Sequence, residues 1–138
     1  MRILVTGGCG YKGTVLVPRL LDRGHDVVVV DTQWFGNFLQ PHPRLEVRKA
    51  DILDIDAIPL DGVEAIIHLA SVANDPCGDI DPKLTWETSA LGSMLLVDVV
   101  PTVATTAKGV HPRARSSEIA WARARVSMRK ASSVGIVR

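Results

Sequence analysis

The sequence predicts an α/β chain: a parallel sheet with helices on both faces. Three observations predict it. Short β-branched apolar runs alternate with helix-spaced segments through residues 1–100. One run, "DVVVVD" at 26–31, is apolar on both sides, as a central strand covered on both faces must be. A knot of glycines joins the first run to the first helical segment.

The elements follow in order. Ile3–Val5 reads as a buried strand. Residues 13–23 follow as a helix, with Val15, Leu16, Leu20 and Leu21 on one face. Gly24 is placed to cap its C-terminus. The 26–31 run is the second strand, "LEVRKAD" (45–51) the third and "AIIHLAS" (65–71) the fourth. Residues 81–100 read as a helix with Leu84, Thr88, Leu91 and Leu95 at helical spacing, stopped by Pro101. A doubly wound sheet built from these strands takes the order 3-2-1-4.

A length of 138 residues holds one domain and is tight for a complete doubly wound sheet. With 46% hydrophobic and 22% charged residues the composition is that of a globular chain, not a disordered one. Cys9 and Cys77 show no metal-ligand spacing and read as reduced thiols, so a cytoplasmic setting is expected. The first apolar run breaks at Thr6–Gly7, which argues against a signal peptide. No run approaches the length of a membrane span. No internal repeat is present.

The net charge of +1 hides a split. Residues 1–100 carry 8 basic and 14 acidic side chains; residues 101–138 carry 8 basic side chains and one acid, Glu118. The shift marks a boundary: an N-terminal unit at 1–100 and an Arg/Ala/Ser-rich stretch at 101–138. That stretch has three open readings. It is text from a shifted reading frame, a basic arm for nucleic acid, or a divergent last strand and helix. Its single aromatic, Trp121, weighs against nucleic acid. Oligomeric state is not readable from the sequence.

The glycines carry chemistry. Gly8-x-Gly10-x-x-Gly13 lies between strand and helix, the context of a dinucleotide-binding fingerprint. The first glycines permit a tight turn with positive φ. Gly10 lets backbone approach a pyrophosphate without a Cβ in the way, and Gly13 lets the helix pack close. The helix N-terminus offers free N–H groups and partial positive charge to phosphate. Asp31 ends the second strand, 18 residues past Gly13, where a carboxylate accepts hydrogen bonds from a ribose hydroxyl and repels a 2′-phosphate. These features predict a Rossmann-type fold and favour NAD over NADP.

"VTGGCGYKG" resembles the TGGxGxxG loop of the extended short-chain dehydrogenase/reductases, the NAD-dependent epimerase/dehydratase family, with Gly7, Gly10 and Gly13 on its three glycines. The resemblance runs over about residues 1–98. "VVVVDTQWFGN" resembles the family's second strand and ribose loop, "KADILD" its third-strand end and "IIHLAS" its HLAA segment. It implies that Tyr11 and Lys12 sit in the phosphate loop, that Asp51 meets the adenine amino group and Ile52 flanks the ring. It implies that Leu69, Ala70 and Ser71 line the cofactor. It also implies NAD as cofactor, and for most relatives a nucleotide-diphosphate sugar as substrate, oxidised transiently at C4.

The chain departs from the pattern in several places. Lys12 replaces an aliphatic residue, and either attracts phosphate or is a solvated loop lysine. Ser89 stands where the helix usually written Asn-x-x-Gly has asparagine. His68 reads as a satisfied core histidine, and Asp75 and Asp79 as turn caps. Family chemistry needs a Tyr-x-x-x-Lys pair, in which the lysine lowers the tyrosine pKa for proton transfer. The one tyrosine here, Tyr11, is in the glycine loop with Val15 four residues on. The expectation is therefore the NAD-binding portion of an epimerase/dehydratase-like oxidoreductase, truncated and catalytically incomplete, with no catalytic residue assigned. The alternative is a non-catalytic dinucleotide-binding or regulatory module with a basic tail.

Overall fold

Stiff β-branched residues build the sheet. β1 (Arg2–Thr6), β2 (Asp26–Asp31), β3 (Leu45–Lys49) and β4 (Ala65–His68) form one parallel sheet in the order β3-β2-β1-β4, the order expected of a doubly wound sheet. In the register, Val5 lies opposite Val29 on one side and Ile67 on the other. The computed structural model describes residues 1–72 and 75–100. The basic stretch at 101–138, with its three readings, lies outside the described residues.

The period of two sorts the strand residues onto two cores. On one face Ile3, Val5, Val27 and Val29 pack against Val17, Leu20 and Leu21 of helix α1 (Gly13–Asp22). On the other, Leu4, Val28 and Val30 meet Ile52, Ile58 and Leu96, the last from helix α4 (Gly92–Val99). Val27 to Val30 are each at most 2% exposed. Each contributes roughly 1.5–3 kcal/mol through burial, so this strand anchors the domain.

Helix α1 ends one residue before the predicted cap. Arg23 is the cap, and Gly24 follows it at φ +84°. The Gly24 N–H donates to Leu21 O and the His25 N–H to Leu20 O, the paired bonds that close a helix end onto a left-handed glycine.

Strands three and four are shorter than their sequence patterns. Beyond Lys49 one further bond joins Ala50 N–H to Asp31 O, and then Asp51 Oδ1 accepts from Leu53 N–H and bends the chain away. Beyond His68 the ladder takes one bond, Leu69 N–H to Thr6 O, before the backbone passes over Gly7. Two short elements escaped the sequence pattern: a 3₁₀ turn at Ile55–Ala57 and helix α2 (Asp75–Ile80).

The helix expected at 81–100 is three pieces: α3 (Pro82–Trp86), a π-helical turn at Glu87–Leu91, and α4. The cap of α3 is Asp81, whose Oδ1 accepts from Leu84 N–H at 2.9 Å. At the π turn the Ser93 hydroxyl donates to the Ser89 carbonyl, 2.6 Å away. Gly92 lets this region close onto the sheet, since a Cβ there would stand 2.8 Å from Ile52 Cγ2.

Candidate functional site

The sheet order reverses between β1 and β4, so the crossovers leave to opposite faces and open a crevice at the strands' C-terminal ends. The glycine loop follows β1 into that crevice. Gly7 takes φ +70°, and a Cβ there would lie 2.6 Å from the Ala70 backbone nitrogen. Its N–H donates to Val30 O at 2.8 Å, tying the loop to β2. A Cβ on Gly8 would press on the Val29 side chain. One on Gly13 would run into the Gly8 backbone, so Gly13 seats the helix against the loop.

Gly10 differs from these three. A Cβ there would meet only Gly7 O, at 3.3 Å. Thr14 N–H donates to Gly10 O, so helical bonding starts at this glycine. The N–H groups of Tyr11 and Lys12 have no acceptor among the described residues. The loop is thus a backbone cradle with free donors, the arrangement that accepts phosphate oxygens.

A cavity of about 660 Å³ lies over this cradle. Ten of the eleven residues expected at the site line it. From the loop come Gly7, Gly10, Tyr11 and Lys12; from the ends of β2 and β3 come Asp31, Asp51 and Ile52; from beyond β4 come Leu69, Ala70 and Ser71. Gly13 is the exception, being buried behind Gly8. The volume falls in the range of small-molecule and cofactor sites.

Asp31 braces the site. Its Oδ2 accepts from Cys9 N–H at 2.9 Å and its Oδ1 from Gln33 N–H at 2.6 Å. One carboxylate therefore holds the glycine loop and starts the next turn. A carboxylate has about four acceptor positions, so both oxygens can still take a hydroxyl. The Cys9 side chain is 5% exposed, and its thiol donates to Asn37 Oδ1 at 3.6 Å. Burial, reinforced by the Asp31 charge, pushes the thiol pKa up to about 11, so Cys9 is a neutral, weakly nucleophilic wall of the cavity.

His68 is held from both sides. Ser93 spends its one hydroxyl proton on Ser89 O, so its oxygen must accept from His68 Nε2–H, 2.8 Å away. His68 Nδ1 is then the acceptor for the Thr6 hydroxyl at 2.6 Å. The ring links β1, β4 and α4, and burial, which disfavours its charged form, holds its pKa below the ordinary histidine value. Both ring nitrogens of this half-buried histidine therefore have partners within the fold. Ser89 makes a further bond, accepting from Val72 N–H at 3.2 Å, and so ties the helix to the cavity wall.

Sequence reasoning missed part of the lining. Thr88 reaches the cavity from the π turn. Trp34, Phe35 and Phe38 reach it from the loop after β2. The aromatic signal was visible in "TQWFGNFL", three rings in five residues, but nothing in the spacing says which way a loop folds. Among the described residues no group of His, Cys, Asp and Glu could hold a metal ion, and no helix is long and apolar enough to cross a membrane.

A parallel sheet with a glycine cradle after its first strand and a carboxylate at the end of its second defines the dinucleotide-binding α/β class. The chain belongs to the NAD dependent epimerase/dehydratase family, whose model matches residues 3–119. The match begins in β1 and runs past the composition boundary at residue 100. Among its relatives is a 3 beta-hydroxysteroid dehydrogenase/Delta 5-->4-isomerase of Mycobacterium tuberculosis, 47% identical over 73 residues; these are 51% of this chain and 19% of the relative. Another is UDP-glucuronic acid decarboxylase 1 of Arabidopsis thaliana, 32% identical over 75% of this chain and 24% of its own length. A solved neighbour is the Bordetella bronchiseptica enzyme WbmF in complex with NAD+ and UDP. It has TM-score 0.61 and 27% identity over 67% of this chain and 29% of that one. The chain thus spans a fifth to a third of the length of these proteins. The family is NAD dependent, and the cradle at Gly10, which a Cβ would fill, fits a pyrophosphate.

Proposed function

We propose that this chain is the NAD-binding portion of a nucleotide-sugar epimerase/dehydratase-like oxidoreductase. The observation that carries the reading is the meeting of Gly10 and Asp31 in one cavity. Loop N–H groups take the pyrophosphate and Asp31 takes the adenosine ribose. Asp51 faces the adenine end, with Ile52 beside the base. Leu69, Ala70 and Ser71 form the wall on the β4 side.

When bound, NAD supplies hydride exchange with a carbon of the substrate. The chain's own residues bind and orient it. A nucleotide-diphosphate sugar is the substrate class supported by the names of the decarboxylase and of the UDP-bound neighbour. The steroid dehydrogenase aligns over 73 residues, 19% of its own length, and its name points to a different substrate class. We infer that the chain is catalytically incomplete by itself, because Tyr11 is its one tyrosine and lies in the phosphate loop.

Titration of the 138-residue chain with NADH and NADPH, followed by cofactor fluorescence, tests the binding reading. NADH binds more tightly, and Asp31→Ala narrows the gap. Equal or tighter NADPH binding by the unaltered chain overturns the assignment of Asp31.

A further inference from the structure

The chain has six aromatic residues, and four of them line one cavity. They are exposed there: Tyr11 93%, Trp34 57%, Phe35 81% and Phe38 72%. Single exposed rings are ordinary on a protein surface; rings gathered around one opening mark a ligand site.

Three of the four lie on one short segment, Gln33–Phe38, and its backbone holds them out. Gln33 takes φ +57°, the one non-glycine residue with positive φ among the described residues, and Gly36 takes φ +92°. The strain at Gln33 is held by Asp31 Oδ1 on its N–H, and the turn is closed by Gly36 N–H donating to Gln33 O at 3.0 Å. The far end is pinned as well. Asn37 Oδ1 accepts from Leu39 N–H and from the Cys9 thiol, and Leu39 packs against the α1 side of the core. The segment is therefore fixed at both ends, with apolar rings between the anchors that no core claims.

We propose that Gln33–Phe38 is an aromatic strap that stacks on the face of the purine base, with Trp34 as its principal ring. The inference rests on the dinucleotide reading of the cavity and adds a residue set to it. Asp31 roots the strap, so ribose binding and base stacking share one carboxylate. Stacking reads a π face and not a hydrogen-bonding edge, so the strap tolerates replacement of the exocyclic amine.

The test is calorimetry with ADP-ribose on the full chain, on Trp34→Ala, on the double variant Phe35→Ala/Phe38→Ala, and on Trp34→Phe. Trp34→Ala loses about tenfold in affinity, the size expected for one stacked ring. Trp34→Phe keeps most of it, and melting temperatures stay within a few degrees because the rings are exposed. Inosine diphosphate ribose, which lacks the amine that Asp51 meets, binds more weakly than ADP-ribose, and Trp34→Ala weakens both ligands by the same factor, because stacking reads the π face and not the edge. Unchanged ADP-ribose affinity in both alanine variants overturns the strap and leaves the dinucleotide reading standing. No ADP-ribose binding by the unaltered chain overturns both.

Discussion

At the scale of single residues, four glycines in seven positions do different jobs. Gly7, Gly8 and Gly13 are there because backbone or core atoms already occupy the place of a side chain; at Gly10 a Cβ would meet one protein atom, Gly7 O at 3.3 Å, which leaves the space over it to the proposed phosphate. The contrast predicts opposite phenotypes. Gly13→Ala drives a methyl into the Gly8 backbone and costs about 1–3 kcal/mol of stability or more. Gly7→Ala adds a positive-φ penalty to a similar clash, about 1–2 kcal/mol further. Gly10→Val leaves the melting temperature nearly unchanged and abolishes NAD binding. Thermal melts beside calorimetric titrations separate the two kinds of glycine. A Gly10→Val protein that binds NAD normally places the phosphate elsewhere.

Elements are joined by polar bridges that the hydrophobic pattern does not show. His68 connects β1, β4 and α4, and its ring is bonded at both nitrogens. Its pKa is lowered in the fold, so below the ordinary histidine value the unfolded chain binds the extra proton more readily. The stability this group contributes is full above that value and is lost as pH falls through it. Unfolding midpoints measured between pH 8 and 5 therefore drop on the acid side, and His68→Gln, which keeps a donor and an acceptor, flattens the drop. An equal drop in the variant assigns the acid sensitivity to other groups. The π turn belongs to this scale too. It sits where Ser93 caps the Ser89 carbonyl and Gly92 meets Ile52, and it brings Thr88 to the cavity.

For the whole molecule, the proposed function assigns cofactor binding and turnover to different parts of the fold. The loop, Asp31, Asp51 and the Leu69–Ser71 wall all precede residue 72. Proton transfer in this family uses a Tyr-x-x-x-Lys pair that the sequence lacks. Loss of a positioned general acid/base costs on the order of 10²–10⁴-fold in rate. Loss of the groups that orient the substrate costs up to roughly 7–11 kcal/mol more. The purified chain is expected to show no turnover of UDP-, GDP- or dTDP-hexoses, followed by cofactor absorbance and product chromatography. Turnover that survives repurification and vanishes in Gly10→Val would show that residues 101–138 supply a base.

The sequence by itself placed the four strands, and the doubly wound class they define implied their order. The strand signals are local: a short β-branched run apolar on both sides reads as a covered strand, and glycines between strand and helix read as a turn with room for phosphate. It also placed ten of the eleven expected residues in one cavity, since strand ends on a parallel sheet converge whatever lies between them. Tertiary structure decided the rest. The sequence reads Gly13 as a close-packing glycine, but how close α1 comes is a contact between elements: it sets Gly13 against the Gly8 backbone and out of the cavity lining. Whether Trp34, Phe35 and Phe38 enter the core or the cavity depends on a turn at Gln33 that a carboxylate on β2 holds. Whether residues 81–100 form one helix depends on a hydroxyl at Ser93 and on contact with Ile52, some forty residues earlier in the chain. Periodicity reports which side of an element is apolar. It carries no information about contacts between elements, and those contacts set the tight packing and the polar bridges.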